Sequence, residues 1–389
     1  MCPPPPPPTT PPPSSPTYVT QTVQVGENWN YVSFYVTQPD MLLNTVFNAL
    51  EKTDRDYVKS QREFSEWYDS FNTWYGTLVS VNPDEGYMLK VAKSGTVKVM
   101  GDAVTFPKVV QLSKGWNFLA NPYPVDVDLA TNMPTPTSMG AYTAADPATY
   151  EPTNTIKAIR DFAEWYDETL TGAAPMWYGP LKVLHSGQMF KFKVGKSGSV
   201  TWNENSGATV ASPPPPGRRQ LIAAGWAVDS SLYQDTMPVT ALVTIDGVPQ
   251  SKGTLIALVG DEVRGVREYS SKVTFGPFAG KALFMMDVST NHEGTEEVQF
   301  KFSTDDVSAV ALDKVVSMTD GTSVGSAIAP LLLVATASSP VVADNRRALR
   351  AGQAPVTPSS ASPVTIVALV AAVAVAAVIA TTRARRAEM

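Results

Sequence analysis

The chain has 389 residues, of which 43% are hydrophobic and 17% charged, and its formal net charge is −6. This length and hydrophobic content exclude a largely disordered protein and allow two or three domains with cores of their own. The acidic balance provides no basic surface for nucleic acid, so we expect no nucleic-acid partner. A single cysteine, Cys2, excludes an intrachain disulfide, and packing must therefore stabilise the fold.

The chain opens with a proline-rich spacer, residues 1–17. Ten of its first 16 residues are proline, which favours a stiff polyproline II conformation. The segment lacks both the basic region and the apolar region of a signal peptide. A spacer normally has structure on both sides, so we expect the natural protein to extend further upstream.

One block of aromatic and acidic residues occurs twice. EFSEWYDSFNTWYGTL at 63–78 returns as DFAEWYDETLTGAAPMWYGPL at 161–181. Each copy follows a segment that contains a tryptophan strand, VGENWNYVSFYV at 25–36 and LSKGWNFLANPYP at 112–124. Units of this length are too long for solenoid repeats. The pattern predicts two related β-rich units, which we call repeat 1 (residues 18–106) and repeat 2 (residues 107–210).

Each repeat is predicted to end in a β-hairpin. In repeat 2, Phe190, Phe192 and Val194 alternate with Lys191 and Lys193 before a Lys-Ser-Gly turn, and repeat 1 has the same arrangement. Period-two alternation with glycine at the turn predicts strands with aromatic rings facing inward and lysines facing outward. One helix is predicted at Met41–Leu50 with Asp40 as its N-cap. In repeat 2 a loop of about 125–155 without a clear pattern takes its place.

A proline linker at 211–219 precedes a third β-rich unit at 220–335, which we call the third module. Short apolar segments separated by glycine-containing turns predict strands at 239–246, 254–260, 263–269, 281–289 and 296–303. The first of them ends at an Asp-Gly turn. Such a series indicates an antiparallel sandwich, and we predict an immunoglobulin-like module. The predicted fold is thus mainly β, with tandem antiparallel β-sandwich-like domains, this module and one C-terminal transmembrane helix.

The C-terminal part predicts a membrane anchor. A stalk at 336–362 leads to a transmembrane helix at 363–382, whose uncharged part, Val364–Ala380, would span roughly 26 Å as a helix. Three arginines in the tail at 383–389 indicate a cytoplasmic end, with the bulk of the chain extracellular. A tail-anchored protein that faces the cytosol is the alternative.

Several short motifs together resemble a known group of β-rich repeats. They are GWN at the start of a strand, V/I-K-x-Q/I-x-x-F at 58–64 and 156–162, W-x-G-x-L at 74–78 and 177–181, and G-Y-x-x-K-V at 86–91. The chain is similar in these motifs to modules of bacterial secreted, multidomain cell-surface proteins, many of them type IX secretion cargo. LIALVGDEVRGV in the third module resembles another module of those proteins. The resemblance covers about residues 20–335 and implies an adhesive or structural extracellular role, without any catalytic residue.

The repeated block also suggests possible chemistry. Two carboxylates beside tryptophans are what a glycosidase uses, with one as the acid and the other as base or nucleophile. However, residues three apart point to opposite faces of a strand, and we assign no catalytic residue. Exposed rings could instead stack on sugars while the carboxylates accept hydroxyl hydrogen bonds, or the rings could simply be core anchors. The candidate ligand-binding residues are Glu66, Trp67, Tyr68, Asp69, Trp74, Glu164, Trp165, Tyr166, Asp167 and Trp177.

Other motifs predict no active site. The sequence at 321–325 matches G-x-S-x-G, but both histidines, His185 and His292, precede the serine, whereas a hydrolase needs one after it. Asp126 and Asp128 begin like a calcium loop, but alanine occupies the next ligand position. We therefore expect neither metal nor cofactor. The predicted function is a non-enzymatic, membrane-anchored surface protein with glycans or extracellular matrix as ligands; the alternatives are a carbohydrate-active hydrolase and a passive spacer.

Overall fold

The computed structural model describes residues 18–144, 153–204, 226–268, 272–291, 296–304, 308–318, 322–336 and 341–343. The proline-rich spacer, the proline linker, the transmembrane segment, the tail and nearly all of the stalk therefore lie outside the described residues. Among those that are described, no helix is both long and apolar enough to cross a membrane.

Repeat 1 consists of two sheets around one core. Its strands are β1 (Tyr18–Val25), β2 (Asn28–Ser33), β3 (Val36–Thr37), β4 (Tyr57–Lys59), β5 (Phe64–Tyr68), β6 (Thr73–Gly76), β7 (Gly86–Val91) and β8 (Gly95–Ala103), with a short helix α1 (Leu43–Val46). Five strands form an antiparallel sheet in the order β2-β7-β4-β5-β6, and three form a second sheet in the order β1-β8-β3. Alternate residues of these strands, such as Val97 and Val99 in β8, fill the core.

Repeat 2 builds the same five-stranded sheet. Its elements are β9 (Lys108–Leu112), β10 (Gly115–Leu119), β11 (Val127–Asp128), α2 (Leu129–Asn132), β12 (Thr155–Lys157), β13 (Phe162–Tyr166), α3 (Glu168–Thr171), β14 (Met176–Tyr178), β15 (Val183–Leu184), β16 (Phe190–Val194) and β17 (Gly198–Trp202). The large sheet has the order β10-β16-β12-β13-β14, which matches repeat 1 strand for strand. The strands β9 and β17 pair with each other, as do β11 and β15.

The asparagine of the Trp-Asn motif closes the turn before each tryptophan strand. In repeat 1, Oδ1 of Asn30 accepts a hydrogen bond of 2.8 Å from the Gly26 N–H, and its Nδ2 donates to the Gly26 carbonyl at 2.7 Å. In repeat 2, Asn117 makes both bonds with Ser113, each at 2.8 Å. The side chain thus satisfies backbone groups that the ladder leaves unpaired, which explains the motif structurally.

Three local predictions were wrong. The two strands of each predicted terminal hairpin, β7 with β8 and β16 with β17, do not pair with each other but belong to different sheets. The helix predicted at Met41–Leu50 is only the single turn of α1, and Leu42 rather than Asp40 is its N-cap. Its apolar periodicity arises because Leu43, Val46 and Phe47 enter the core together, which one turn of helix is sufficient to achieve. The loop predicted in repeat 2 contains β11 and α2, and the Asp128 side chain caps α2 by accepting from the Thr131 N–H.

The third module is a sandwich-like pair of sheets. Its strands are β18 (Asp235–Ile245), β19 (Val248–Pro249), β20 (Thr254–Val259), β21 (Glu262–Glu268), β22 (Phe284–Thr290), β23 (Glu297–Ser303), β24 (Ser308–Ser317), β25 (Leu331–Ala335) and β26 (Val341–Ala343). One sheet has the order β19-β18-β22 with β25 also on β18, and the other has the order β21-β20-β23-β24-β26. Phe284, Phe300 and Phe302 are buried in the shared core.

The strands predicted in this module are confirmed as β18 and β20–β23, and Asp246 and Gly247 form the predicted turn with φ angles of 49° and 77°. The predicted antiparallel arrangement is confirmed for most strands of this module, but β25 runs parallel to β18. The strands β19, β24 and β25 were not predicted, and β26 lies in the segment that was predicted to be the stalk.

Repeats 1 and 2 also contact each other. The Ser33 N–H donates a hydrogen bond of 2.9 Å to the Gly187 carbonyl, and Met189 packs against Trp29, Tyr31 and Met88. These contacts bury Trp29, Tyr31 and Met88 on the β2–β7 side of the large sheet of repeat 1.

Candidate functional site

The outer faces of the two large sheets, which point away from each repeat's own core, carry matching rows of side chains. Strand pairing in repeat 1 aligns one row across all five strands: Trp29, Lys90, Tyr57, Glu66 and Tyr75. The equivalent row in repeat 2 is Trp116, Lys193, Thr155, Glu164 and Tyr178. The rows differ at one position, Tyr57 against Thr155. The duplication has therefore kept an outer face as well as a core.

The four candidate tryptophans point to the inner faces. Trp67 lies opposite Trp74 in the register of β5 and β6, with their ring centroids 5.7 Å apart. Trp165 lies opposite Trp177 in the same way, at 5.3 Å. All four are buried, each pair in the core of its own repeat. The structure therefore places these rings where they stabilise the fold and do not reach a ligand on the surface.

The two candidate aspartates make local structural contacts. Asp69 accepts a hydrogen bond of 2.7 Å from Nε1 of Trp67. Asp167 caps α3 by accepting from the Leu170 N–H at 3.1 Å, and Thr169 and Tyr142 also donate to it. Partial burial would raise the pKa of Asp167, but these hydrogen bonds outweigh it and hold the pKa below its usual value. Neither aspartate lies with its glutamate as a pair on one strand face.

Glu164 and Tyr166 are completely buried on the outer face of repeat 2. The Tyr166 hydroxyl donates a hydrogen bond of 2.6 Å to Oε2 of Glu164, whereas Oε1 of Glu164 has no hydrogen-bond partner in the structure. Burial raises the pKa of Glu164 to about 8, and the bond from Tyr166 only partly opposes this shift. Glu164 therefore carries a proton at neutral pH and is shielded from any external substrate.

The third module covers this outer face. Phe275 lies 4.9 Å from the ring of Tyr166 and 5.4 Å from that of Tyr178, measured between ring centroids. The Ala327 N–H donates a hydrogen bond of 2.9 Å to the Tyr166 hydroxyl. Leu283, Met285 and Ile328 of the third module complete an apolar cluster with Phe162, Tyr166 and Tyr178 of repeat 2. The repeated block of repeat 2 thus forms an interface with another unit of the same chain.

The prediction that the lysines of the alternating strands face solvent was wrong for Lys191. Its side chain is buried, and so is that of Lys157. Both ammonium groups lie 2.7 Å from carboxylate oxygens of Asp235 in the third module. Burial lowers the pKa of Lys191 to about 8, although Asp235 counteracts the shift. Lys191 does point away from the core of its own repeat, as alternation requires, but a second unit covers it.

In repeat 1 the aromatic residues on the outer face near β5 and β6 are open to solvent. Tyr75 and Phe71 are each 74% exposed and Phe64 is 47% exposed, whereas Tyr178, which corresponds to Tyr75, is 7% exposed. Tyr68 and Glu66 are partly buried between them. We call the set Phe64, Glu66, Tyr68, Phe71 and Tyr75 the open aromatic face. Of these residues, only Glu66 and Tyr68 were candidates from the sequence.

The open aromatic face combines aromatic surface with hydrogen-bonding groups. It offers ring edges and faces, two phenolic hydroxyls and one carboxylate, and the Tyr68 hydroxyl lies 3.5 Å from Glu66. The other acidic candidate of repeat 1, Asp69, lies outside this face and accepts a hydrogen bond from Trp67. In the described part of the chain, no group of three or more histidine, cysteine, aspartate or glutamate side chains could hold a metal ion. The loop aspartates Asp126 and Asp128 bond to Ser186 and Thr131.

None of the protein-family models, curated proteins or solved structures with which the chain was compared matches it. The side chains described above are therefore the basis on which a function can be assigned.

Proposed function

We propose that this chain is a non-enzymatic, single-pass membrane-anchored surface protein that presents its β-rich units for adhesion, and that the open aromatic face of repeat 1 binds the adhesive ligand. The observation that carries the proposal is the 74% exposure of both Tyr75 and Phe71. Burying a large aromatic side chain contributes about 1.5–3 kcal/mol, so an uncovered cluster of them favours association.

The covered face of repeat 2 supports this assignment. Phe64, Glu66, Tyr68 and Tyr75 correspond to Phe162, Glu164, Tyr166 and Tyr178, so the outer face has the same residue type at all four positions. In repeat 2 the three aromatic residues of this set pack against another unit. A face with this composition is thus able to support a stable interface, and in repeat 1 its surface is available to an external ligand.

The remaining parts of the proposal come from the sequence. The uncharged segment Val364–Ala380 with arginines after it supports a membrane anchor with the bulk of the chain extracellular. The likeness of residues 20–335 to modules of bacterial secreted cell-surface proteins, with an immunoglobulin-like third module, supports the adhesive role. Deleting residues 364–380 should move the chain from the membrane fraction to the soluble fraction, and unchanged partitioning would contradict the anchor.

A binding experiment tests the proposed function. The full chain, reconstituted in lipid nanodiscs, is applied to a glycan array and to immobilised extracellular matrix proteins. We expect binding that Tyr75→Ala and Phe71→Ala each weaken at least roughly tenfold, equivalent to about 1.4 kcal/mol. Val109→Ala is the matched control, because Val109 is also an exposed apolar residue but lies on β9 of repeat 2. Binding that neither face variant affects would contradict the proposal.

The same preparation distinguishes the alternatives. A carbohydrate-active hydrolase would release reducing ends from a polysaccharide panel, and Glu66→Gln would abolish that release while leaving binding intact. A passive spacer would bind neither the array nor the matrix proteins. Either result would replace adhesion as the function of the chain.

A further inference from the structure

The two tyrosines on the outer face of repeat 2 receive an aromatic side chain from the third module. The rings of Tyr166 and Tyr178 lie 6.4 Å apart at an angle of 75° and so form a notch with two walls. Phe275 fills this notch and contacts both rings, with an edge-to-face angle of 87° to Tyr178. Such edge-to-face contacts are stabilising beyond the apolar area that they bury.

Phe275 is presented by a closed loop. The Val273 N–H donates to the Lys281 carbonyl at 2.9 Å, and the Gly280 N–H donates to the Val273 carbonyl at 2.7 Å. Gly276, directly after Phe275, has a φ angle of 67°, which favours glycine at this position of the loop. The recognised element is therefore a short loop, Lys272–Lys281, in which Phe275 contacts both tyrosine rings while Val273 and Phe278 pack in the same apolar cluster.

Repeat 1 contains a similar notch, in which no ring among the described residues contacts both tyrosines, although Phe71 lies 6.5 Å from the ring of Tyr68. The rings of Tyr68 and Tyr75 lie 6.3 Å apart at 85°, nearly the geometry of Tyr166 and Tyr178. Tyr75 is 74% exposed, so an incoming side chain meets one wall of the notch directly. The Tyr68 hydroxyl has one long contact of 3.5 Å, to Glu66, and its oxygen can accept an N–H as that of Tyr166 does from Ala327.

We propose that Tyr68 and Tyr75 form a receptor for a phenylalanine-bearing loop of a partner protein, of the kind that Lys272–Lys281 presents to repeat 2. The inference rests on the proposed function, because it names the ligand of the open aromatic face. Rings at 85° do not make the flat platform on which a sugar face stacks, but they match the two edges of a third aromatic ring. The partner is a β module that offers this ring and a backbone N–H beside it.

A peptide that reproduces the loop tests this proposal. The probe is a fluorescently labelled, head-to-tail cyclic peptide with the sequence of residues 272–281, KVTFGPFAGK, titrated with the full chain in nanodiscs. We expect saturable binding that Tyr75→Ala in the chain weakens at least tenfold. Tyr68→Ala should have the same effect, and Val109→Ala should have none. The peptide with alanine in place of Phe275 is the matched ligand control and should not bind.

The outcomes separate this inference from the proposed function. Absence of saturable binding at peptide concentrations up to about 1 mM would overturn the inference, and so would an affinity that Tyr75→Ala leaves unchanged. If glycans or matrix proteins bind in a Tyr75-dependent manner and the peptide neither binds nor competes, the adhesive function stands and the phenylalanine receptor does not. Binding of the peptide with competition against the adhesive ligand supports both.

Discussion

The Tyr166 hydroxyl donates a 2.6 Å hydrogen bond to the Glu164 carboxyl group at a position from which solvent is completely excluded. Because burial raises the pKa of Glu164 from 4.5 to about 8, the folded protein holds a proton that the unfolded chain releases above pH 4.5. Over this window the folded state binds more protons, so the free energy of unfolding falls as the pH rises.

We expect Glu164→Gln to flatten this pH dependence. In the wild-type protein, the proton on Glu164 lowers the free energy of unfolding by up to about 1.4 kcal/mol for each unit that the pH rises between about 4.5 and 8. Burial also raises the pKa of Asp287 to about 7. Asp287 therefore also makes the free energy of unfolding fall as the pH rises, but only up to about pH 7. The effect of Glu164→Gln is therefore most specific between pH 7 and 8. Urea unfolding at half-unit pH intervals measures it, and equal slopes in both proteins would show that Glu164 does not hold the proton.

A second prediction concerns Asp235, which forms ion pairs with both Lys157 and Lys191. We expect Asp235→Asn to lower the free energy of unfolding by about 3–5 kcal/mol, because it removes the carboxylate that pairs with two buried ammonium groups. The control is Glu51→Gln, which removes an ion pair between exposed side chains, Glu51 and Lys93, and should cost less than about 1 kcal/mol. Chemical denaturation measures both. Similar losses in the two variants would mean that Asp235 contributes no more than a surface pair.

A third prediction contrasts the inner and outer faces of β5 and β6. Trp67→Ala should cost about 3–5 kcal/mol, since it leaves a cavity beside Trp74 in the core. Tyr75→Ala should change stability by less than about 0.5 kcal/mol, because this side chain is mostly exposed. Thermal and urea unfolding of the two variants provide the comparison. A large loss from Tyr75→Ala would mean that its ring stabilises repeat 1 itself and is not kept for a ligand.

A fourth prediction tests the contact between the repeats at Gly86. A methyl group at this position would overlap Met189 of repeat 2 and lie 2.9 Å from the Leu119 carbonyl oxygen. We expect Gly86→Ala to destabilise the protein by about 1–3 kcal/mol through overpacking. Gly95→Ala is the control, because its added methyl meets only the flexible end of Leu50. If the two variants unfold alike, the repeats are not packed closely at Met189.

The sequence predicts the large sheets well because both the period-two alternation and the duplicated block are local signals. Alternation correctly predicts β20–β23 and the inward position of Phe190 and Phe192. It does not predict β25, since this strand is defined by parallel pairing with β18 about 90 residues earlier. Pairing between distant segments leaves little trace in a local pattern.

The candidate site shows the same limit. Alternation determines which face of its sheet a residue occupies, but it carries no information about what covers that face. Glu66 and Glu164 occupy equivalent positions, yet one reaches the surface and the other is sealed beneath Phe275 and its neighbours. The distinction between them depends on the third module. Exposure of Phe71 and Tyr75 could therefore not be predicted from the repeated block.

The hydrogen bond from Ala327 to Tyr166 joins residues that are 161 positions apart. Translation proceeds at about 5–20 residues per second, so Tyr166 leaves the ribosome roughly 8–32 seconds before Ala327 does. Phe275, which fills the notch of repeat 2, follows Tyr178 by 97 positions, so for roughly 5–19 seconds of that interval the nascent chain displays the notches of both repeats uncovered. Only one stays uncovered after synthesis, and chaperones that bind exposed rings would have a defined period in which to engage the other.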